Sequence, residues 1–564
     1  GGYLMRQGYY SAVPETSKEF MSENEWGYWF EGKEATDVIT SPTGGGFGGK
    51  DELTVQPALA LLALKAGRPV RLQLSRAESV AAGWKRNPMR IRVRTGCDAE
   101  GRLVAQDVDL LSECGAYASL SPGVLETALE HATGPYVIPH VRSRGRLAYT
   151  NNGVCGAFRG FGANQMTYAV ECQLGRLAEM AGLDAVAMRR LNMRPPGSPG
   201  PLGQEVAPSE RLAEMLDAAA ASPLWRRPRG VVGDDVVGVG LALNHQGNGL
   251  GSFFPDPGAC RLTLTPAGRI EAAFGMDEMG QGLVAAAPAA VAEVLGCGRG
   301  DIDTLLGDTH RTPDSGSTSA ARGIHVVWRA AALAGVHFSE KLRAAAGVLL
   351  MRDPQELALA PGGLREARSN SGDLILTFGE LASRLDADAL PSADCAFEFP
   401  KTQHDGGNAR FIFAFGAALA RVAVDRVTGA VRVLDFEQHT AAGPIVDAAA
   451  YLGQIEGGGA QGIGFTLSED AVMRDGRFVT GNFDLYTMPG IADVPARMGV
   501  FAHEDLDPHD PHGPRGVGEI GIGAVTPAIV AAIADALGAW PAVTPIPPEA
   551  MLDAVDRATG ATAP

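Results

Sequence analysis

The sequence has few cysteines, and none of them forms a C-x-x-C pair. The seven are scattered between Cys97 and Cys395, and their number is odd. This spacing argues against a disulfide framework, a zinc finger and an iron–sulfur cluster. If the chain is part of a redox enzyme, its electrons must therefore leave through another chain.

Basic residues are also scarce, since 48 lysines and arginines face 65 aspartates and glutamates. The resulting net charge of -17 repels nucleic acid and anionic membranes. No uninterrupted apolar run has the roughly 18 residues of a membrane span. The chain begins at Gly1 and shows no charged-then-apolar leader, so we expect a soluble, cytoplasmic protein with neither nucleic acid nor membrane as a partner.

Glycine, in contrast, is concentrated at one point near the start of the chain. Residues 44–50 (GGGFGGK) set five glycines around one aromatic, which suits a backbone that a large ligand approaches closely. The same frame reads G-x-x-x-x-G-K, the beginning of a phosphate-binding P-loop. Asp51 stands where the Mg²⁺-binding hydroxyl should follow, so a P-loop nucleotide-binding protein remains only an alternative.

Three further segments place polar or aromatic side chains between glycines. They are 156–162 (GAFRGFG), 275–282 (GMDEMGQG) and 516–521 (GVGEIG). For any one of them alone a tight turn is the ordinary interpretation. Four such segments in one chain favour loops that present selected groups to a shared ligand. The glycine-rich stretch 454–464 is ambiguous, and close helix packing is favoured there over ligand contact.

The remaining pattern predicts mixed secondary structure. Pro57 and Gly67 bound an apolar run that predicts a helix, and alternating apolar residues predict strands at 70–74 and 89–93. A further helix is expected over 526–538, with Thr526 as its N-cap. Because helices and strands mix without strict βαβ alternation, the fold class is predicted to be α+β.

Together the four segments resemble the molybdenum-cofactor-binding subunit of the xanthine dehydrogenase and aldehyde oxidase family of molybdenum hydroxylases. The resemblance covers about residues 41–555 and is closest in TGGGFGGKDE, TNNGVCGAFRGFG and GVGEIG. It implies two molybdopterin-binding domains, and the proline-rich stretch 195–201 (PPGSPGP) is the strongest candidate for the linker between them. We therefore expect domains at 41–215 and 225–564, with residues 1–40 unassigned.

The resemblance also implies roles for individual residues. Cofactor contacts are expected at Phe47, Gly48, Arg159, Gln281, Thr318, Ser319 and Ala320. The molybdenum would be held through the pterin dithiolene, without a protein ligand. The hydroxyls and amides of 315–320 suit pterin or phosphate oxygens, although a serine-rich surface turn is the alternative there.

Glu519 is expected to be the catalytic base of the reaction that the resemblance implies. A carboxylate that accepts a proton at neutral pH needs a raised pKa, and burial beside a cofactor can raise it. A solvated turn is the alternative for a glutamate between glycines. The implied reaction inserts a water-derived oxygen into a C–H bond of an N-heterocycle, a purine such as xanthine or hypoxanthine.

Three further residues are expected to contact the substrate. Phe161 resembles the phenylalanine that stacks on an aromatic substrate. Asp51 stands where purine-oxidising members carry a glutamate, and Thr127 stands where they carry an arginine. The lost positive charge keeps an aldehyde or another heteroaromatic substrate as the alternative within the family. A non-catalytic assembly subunit is a third interpretation.

The resemblance finally implies cofactors and partners. Molybdopterin with molybdenum is expected in this chain, in the cytosine dinucleotide form that is usual in bacteria. An iron–sulfur (2Fe-2S) chain and an FAD chain are expected as partners, in a hetero-oligomer that can pair into a dimer of the assembly. The family's upstream portion has no match in residues 1–40, so either a companion chain supplies it or the sequence is a fragment.

Overall fold

The helices and strands of the chain are known from a computed structural model, which describes residues 39–41, 43–208, 211–368 and 373–559. The unassigned segment 1–40 thus lies outside the described residues except for its last two. The helices are α1 (Gln56–Ala66), α2 (Arg76–Ala82), α3 (Ser121–Glu130), α4 (Ala163–Ala181), α5 (Ala185–Asn192), α6 (Leu212–Ala221), α7 (Leu283–Leu295), α8 (Gly323–Leu350), α9 (Phe378–Ser383), α10 (Ala448–Leu467), α11 (Ile520–Gly523), α12 (Val525–Leu537) and α13 (Pro548–Thr559).

The strands lie between these helices in groups of varying number. They are β1 (Lys85–Arg86), β2 (Met89–Cys97), β3 (Leu103–Gly115), β4 (His140–Tyr149), β5 (Cys155–Gly156), β6 (Gly230–Val232), β7 (Asp235–Asn248), β8 (Pro257–Leu264), β9 (Ile270–Phe274), β10 (Ile302–Leu306), β11 (Leu357–Ala360), β12 (Gly363–Glu366), β13 (Leu376–Thr377), β14 (Ser392–Glu398), β15 (Ile412–Asp425), β16 (Val431–Ala441), β17 (Met473–Arg474), β18 (Arg477–Phe478) and β19 (Met498–His503). Parallel and antiparallel pairs are mixed, and the α+β prediction is confirmed.

The central sheet has the strand order β19-β16-β15-β7-β6. Strands β7 and β15 pair antiparallel over all fourteen of their residues, and nearly every one of those residues is buried. Helix α12 lies directly on β7 because Gly238 and Gly240 carry no side chains. A Cβ at either position would meet a carbonyl oxygen of that helix at 2.1 or 2.2 Å. Strands β7 and β15 are therefore covered on both faces.

A three-stranded sheet, β2-β3-β4, belongs to the first half of the chain. Strand β2 alternates between exposed arginines and partly buried Met89, Ile91 and Val93, so the strand predicted at 89–93 is confirmed. The apolar face of β2 packs on α4. The buried residues of α4 lie three or four positions apart, on the face of the helix that meets the sheet. This packing fixes the first turn of α4, directly after the segment 156–162.

In the second half, a four-stranded sheet with the order β10-β9-β8-β14 packs against α7 and α8. Leu262, Phe274 and Phe338 are fully buried between these layers. The loop from β9 to α7 contains residues 275–282, and the loop from β10 to α8 contains residues 315–321. Both loops thus leave the same end of one sheet.

The two halves share a hydrophobic core. Leu110 and Met166 from the first half are buried in the same cluster as Leu241 and Phe415 from the second. Helix α4 also contacts the C-terminal part, because a Cβ at Gly175 would meet the ring of Trp540 at 2.0 Å. The division into 41–215 and 225–564 stays a prediction, and the halves form one packed body.

Two local predictions are wrong and one is confirmed. The helix predicted from Pro57 is α1, and it ends at Gly67 with φ 61°. Residues 70–74 form no strand, because no neighbouring segment among the described residues pairs with them. Thr526 is not a cap, since α12 follows α11 almost directly and Ala524 occupies the N-cap position. The Thr526 hydroxyl instead pairs with that of Thr466, at 2.8 Å.

The most apolar helical stretch is Ile520–Leu537, which spans α11 and α12. By length and composition it could cross a membrane, and it is the one such stretch among the described residues. Most of it is buried inside the fold against β7. Burial of this kind is typical of a core helix.

Candidate active site

A cavity of about 820 Å³ opens where loops from the two halves of the chain meet. Its volume is in the range of small-molecule and cofactor sites, roughly 300–1,000 Å³. Of the eleven predicted site residues, ten line this central cavity: Phe47, Gly48, Asp51, Arg159, Phe161, Gln281, Thr318, Ser319, Ala320 and Glu519. The eleventh, Thr127, lies behind the wall.

Backbone strain is concentrated at this cavity. Phe47, Phe161, Ala320 and Ala321 are non-glycine residues of the wall with φ between 45° and 52°. Such left-handed conformations are uncommon outside glycine and cost on the order of 1–3 kcal/mol each. Such strained conformations persist only where contacts with the surrounding structure enforce them, and they are concentrated at binding and active sites.

The loop 44–50 lies backbone to backbone against the loop 156–162. The amide of Arg159 donates to the carbonyl of Phe47 at 2.8 Å, and a Cβ at Gly48 would lie 2.8 Å from the carbonyl carbon of Ala157. A P-loop places its lysine at the start of a helix, whereas α1 begins at Gln56, beyond Lys50 and Asp51. The P-loop interpretation is therefore wrong for this segment.

Arg159 is buried at the centre of the cavity wall and joins three segments of the chain. Its Nε donates to the carbonyl of Gly518, and its Nη2 donates to the carbonyl of Gln454 at 2.8 Å. Its Nη1 donates to Oε1 of Gln461 at 3.3 Å. The guanidinium also lies 5.7 Å from the ring centroid of Phe47. Arg159 thus fixes the 516–521 loop relative to the 44–50 loop.

Glu519 is held at the cavity by two donors. The amide of Gly160 donates to its Oε1 at 3.1 Å, and the Gln246 side-chain amide donates to its Oε2 at 3.3 Å. Burial raises the pKa of Glu519 above its ordinary value of 4.5. The hydrogen bond from Gly160 and the positive charge of Arg410 oppose that rise. The carboxylate is therefore oriented, and its proton affinity is shifted in the direction that a base needs.

Asp51 and Glu52 add two more acidic groups beside Glu519. Burial, followed by the charges of Glu519 and Glu52, raises the pKa of Asp51 to about 8. Burial raises the pKa of Glu52 to about 7, against a hydrogen bond from the Leu120 amide. At neutral pH Asp51 is therefore mostly a neutral acid, which can donate a hydrogen bond into the cavity.

Gln281 uses its side chain to shape its own loop. Its Nε2 donates to the carbonyl of Asp277, and its Oε1 accepts from the amide of Met279, both at 2.6 Å. The amide of Asp277 in turn donates to Oγ1 of Thr318 at 2.8 Å. The segments 275–282 and 315–320 are thus tied together at the cavity.

The segment 315–321 is not a surface turn. Ser315 and Ser317 are buried, and the amide of Gly249 donates to the carbonyl of Ala320 at 3.0 Å. Gly516 lies so close to Ala321 that an added Cβ would meet its carbonyl oxygen at 1.5 Å. Only glycine fits there, so this contact joins the segment to the loop that carries the expected base.

Thr127 is buried and does not line the cavity, which corrects the expected position of a substrate contact. Its Oγ1 accepts from Nη2 of Arg410 at 3.0 Å, and Nη1 of that arginine is paired with Glu130 at 2.5 Å. Arg410 itself lines the cavity. A positive charge is therefore present beside Thr127, although it comes from the other half of the chain.

Sequence reasoning missed several residues of the wall. Gln246 lines the cavity, and no spacing or motif marks it; Gln454 and Gln461 also line it, and only the glycine content of 454–464 pointed to them. The glycine-rich stretch 454–464 packs closely, as favoured above, and it also borders the cavity. A Cβ at Gly458 would lie 2.7 Å from the backbone of Gly521.

The wall fits a large polar cofactor. Gly44, Gly453 and Gly457 line the cavity, and a Cβ added at any of them would meet nothing within 4 Å. Their bare backbone therefore faces open space that a ligand can fill. In the described part of the chain no group of three or more His, Cys, Asp or Glu residues could hold a metal ion.

Comparisons with known proteins agree on one family. Residues 32–193 and 212–495 each match a molybdopterin cofactor-binding domain. The chain is 45% identical over 525 residues to a probable xanthine dehydrogenase subunit of Bacillus subtilis, and the match covers 93% of this chain and 70% of that protein. It is 28% identical over 535 residues to a probable hypoxanthine oxidase of Escherichia coli K12, covering 92% of this chain and 54% of that protein.

The fold is similar to a solved structure as well. The aldehyde oxidoreductase of Desulfovibrio desulfuricans superposes with a TM-score of 0.79 at 26% identity. The match covers 92% of this chain and 54% of that one. The chain thus spans between about half and 70% of the length of these proteins.

Proposed function

This chain belongs to the xanthine dehydrogenase and aldehyde oxidoreductase family of molybdopterin-binding subunits, and on that basis we propose what its cavity does. We propose that the cavity binds molybdopterin carrying molybdenum, in the cytosine dinucleotide form. The reaction is the oxidative hydroxylation of a C–H bond of an N-heterocycle, with oxygen from water. In this proposal the chain is the catalytic subunit of its enzyme.

The observation that carries the proposal is the setting of Glu519. Its two oxygens accept hydrogen bonds at 3.1 and 3.3 Å, its pKa is raised by burial, and it lines the central cavity. A general base needs a fixed position within reach of the proton and a pKa shifted toward the working pH. Glu519 has a fixed position at the cavity and a raised pKa, so we assign it the proton of the water that provides the oxygen.

The surrounding residues have supporting roles in this proposal. When bound, the cofactor supplies a redox-active metal centre that takes up two electrons. Gly48 and Ala320 present bare or strained backbone to the cofactor, and Thr318 holds the adjacent loop in place. Arg159 contacts both the 516–521 loop, which carries Glu519, and the ring of Phe47, and so holds the two loops in a fixed relative position. These contacts orient the reactants and exclude water.

A purine such as xanthine or hypoxanthine is the substrate we propose. Its ring nitrogens and carbonyl oxygens can accept hydrogen bonds from a neutral Asp51 and can be oriented by the positive charge of Arg410. The ring of Phe161 in the wall supplies a face for stacking. The relationship to a probable xanthine dehydrogenase subunit and a probable hypoxanthine oxidase supports the same substrate class.

An aldehyde or another heteroaromatic compound is the second candidate. Arg410 is paired with buried Glu130, so its charge is largely balanced before any substrate arrives. A cavity with little net charge also suits a neutral substrate. The similarity to an aldehyde oxidoreductase of known structure favours this alternative.

Partner chains are part of the proposal. The Bacillus subtilis relative is itself named as one subunit of a xanthine dehydrogenase, which supports a multi-subunit assembly for this chain too. We propose that an iron–sulfur chain carrying 2Fe-2S and an FAD chain take up the electrons, in a hetero-oligomer that can form a dimer of the assembly. A cytoplasmic location is proposed with them.

The experiment that tests the proposal starts from the chain purified together with its companion subunits. Metal analysis should find molybdenum, and release of the bound pterin should give the cytosine dinucleotide. A panel of purines, N-heterocycles and aldehydes should then identify turnover with oxygen from labelled water. Absence of both metal and pterin would instead support a non-catalytic assembly subunit.

A further inference from the structure

Two cysteines that are far apart in the sequence lie directly opposite each other in the second half. Cys260 on β8 and Cys395 on β14 are register partners in an antiparallel ladder. Side chains of directly opposed residues point to the same face of a sheet. The scattered cysteine spacing of the sequence therefore hides one close pair.

The ladder places their backbones at a separation that suits a disulfide. Four residues to either side of the pair, the amide of Leu264 donates to the carbonyl of Pro391, and the amide of Phe399 donates to the carbonyl of Asp256, at 2.9 and 2.8 Å. Hydrogen-bonded pairs recur every second residue in such a ladder, so the cysteines also form one. Their Cα atoms are then about 5.5 Å apart, within the usual range for disulfides.

The two thiols also meet at one acceptor. The carbonyl oxygen of Ala330 in α8 lies within hydrogen-bond distance of both sulfurs, 3.6 Å from Sγ of Cys260 and 3.3 Å from Sγ of Cys395. A hydrogen bond between the thiols lowers the pKa of Cys395 to about 7, against the effect of burial. The sulfurs are thus adjacent, and one of them ionises readily.

The two positions differ in access. Cys260 is fully buried in the core that includes Leu262 and Leu264. Cys395 is only partly buried, and its strand β14 is at the edge of the four-stranded sheet. A small oxidant can therefore reach Cys395 first, with Cys260 positioned behind it as the resolving thiol.

From this arrangement we propose that Cys260 and Cys395 form a reversible disulfide under peroxide. The Cys395 thiolate attacks hydrogen peroxide, which gives a sulfenic acid and hydroxide. The Cys260 thiol then attacks that sulfur, the S–S bond forms, and the sulfenic oxygen leaves as water. The dithiol loses two electrons and two protons, and one peroxide is reduced to two waters.

The bond would enclose a functionally important part of the chain. The segment between the two cysteines contains Gln281, Thr318 and Ser319, which line the central cavity. A cross-link restricts the unfolded chain more as the enclosed loop becomes longer. The disulfide would therefore stabilise the half of the cavity that these residues form.

The test uses the purified full chain with hydrogen peroxide as the probe. Free thiols are counted after unfolding, and the peptides are mapped under non-reducing conditions. Seven thiols are present at the start, and we expect a loss of two, a cross-linked peptide pair containing Cys260 and Cys395, and full recovery with dithiothreitol. Cys260→Ser and Cys395→Ser should each abolish the cross-link.

Cys97→Ser is the matched control, because Cys97 is similarly half-buried and pairs with Leu103 across its ladder. This variant should form the cross-link as the original chain does. The proposal is overturned if no thiol is lost, or if the lost thiols belong to other cysteines. Oxidation of Cys395 to sulfinic acid while Cys260 stays free would overturn it equally.

Discussion

Gly160 and Glu519 are 359 residues apart in the chain, and the amide of the first donates a hydrogen bond to Oε1 of the second at 3.1 Å. Arg159, the neighbour of Gly160, holds the carbonyl of Gly518 beside the same carboxylate. One short segment of the first half therefore positions both the backbone and the side chain of the expected base. The chemistry of the site depends on contact between the halves.

Glu519→Gln should lower turnover by orders of magnitude without loss of cofactor. The substitution keeps the size of the side chain and leaves one oxygen that can accept from either Gly160 or Gln246, but it removes the proton acceptor. General-base catalysis contributes about 10²–10⁴-fold, so we expect a fall in kcat of that order. The measurement is steady-state turnover together with molybdenum and pterin content. Exposed Glu356→Gln, remote from the cavity, serves as the control, and equal turnover in both variants would remove the base role from Glu519.

Gly516→Ala should destabilise the loop that carries the base. The added Cβ would meet the carbonyl oxygen of Ala321 at 1.5 Å, so the backbone would have to move. Overpacking of this kind costs about 1–3 kcal/mol or more. Gly518→Ala in the same loop is the matched control, since its Cβ would find its nearest neighbour at 3.8 Å. Thermal denaturation should show a lower Tm for the first variant only, and equal Tm values would contradict the close contact.

Asp51→Asn should change the pH dependence of stability. The folded chain holds the Asp51 proton up to about pH 8, whereas an unfolded aspartate releases it near pH 4. The folded state therefore binds more protons between these values, and Asp51 makes the protein less stable as pH rises through that window. Asparagine does not titrate.

The measurement is denaturant unfolding of both proteins from about pH 4 to about pH 9. The unfolding free energy of the variant minus that of the original chain should increase steadily up to about pH 8 and then level off. A flat difference for Asp51→Asn would show that the pKa of Asp51 is not raised.

Arg410→Lys should weaken purine binding more than aldehyde binding. Lysine keeps a charge to pair with Glu130 but loses the planar fork that reaches Thr127 at 3.0 Å and borders the cavity. Loss of one charge-assisted hydrogen bond is worth about 1.5 kcal/mol or more, so KM for a keto-rich purine should rise at least about tenfold. The check is a comparison of KM and kcat for a purine and an aldehyde. An equal change for both substrates would assign Arg410 a structural role alone.

Much of the site could be predicted because glycine-rich loops leave a mark in the sequence. Gly48 and Gly516 must lack a Cβ for close backbone contacts, so substitution there is physically restricted and the motifs are recognisable. The strand at 89–93 was predictable from its alternation of apolar and polar residues. The helix near Pro57 was predictable from the proline at its start and the glycine at its end. Each of these features depends on local geometry.

The failures have a different origin. Residues 70–74 have the alternation of a strand, but a strand needs a partner, and pairing is decided by distant segments. Thr526 has a side chain suited to an N-cap, but the helix begins one residue earlier, at Val525, directly after α11, and Ala524 is the N-cap. Thr127 was expected to contact the substrate, while the side chain that borders the cavity there, Arg410, comes from 283 residues away.

The sequence by itself determined the family, through the resemblance of its glycine-rich motifs, and the fold class, through its mixed helix and strand patterns. It also marked the loops that line the cavity, because certain glycines there must lack a side chain. The tertiary structure alone decided the protonation of Asp51, the partner of Thr127 and the pairing of Cys260 with Cys395. The physical reason is that desolvation, charge–charge interaction and strand register act through space. They are set by which groups the fold brings together, whatever their separation along the chain.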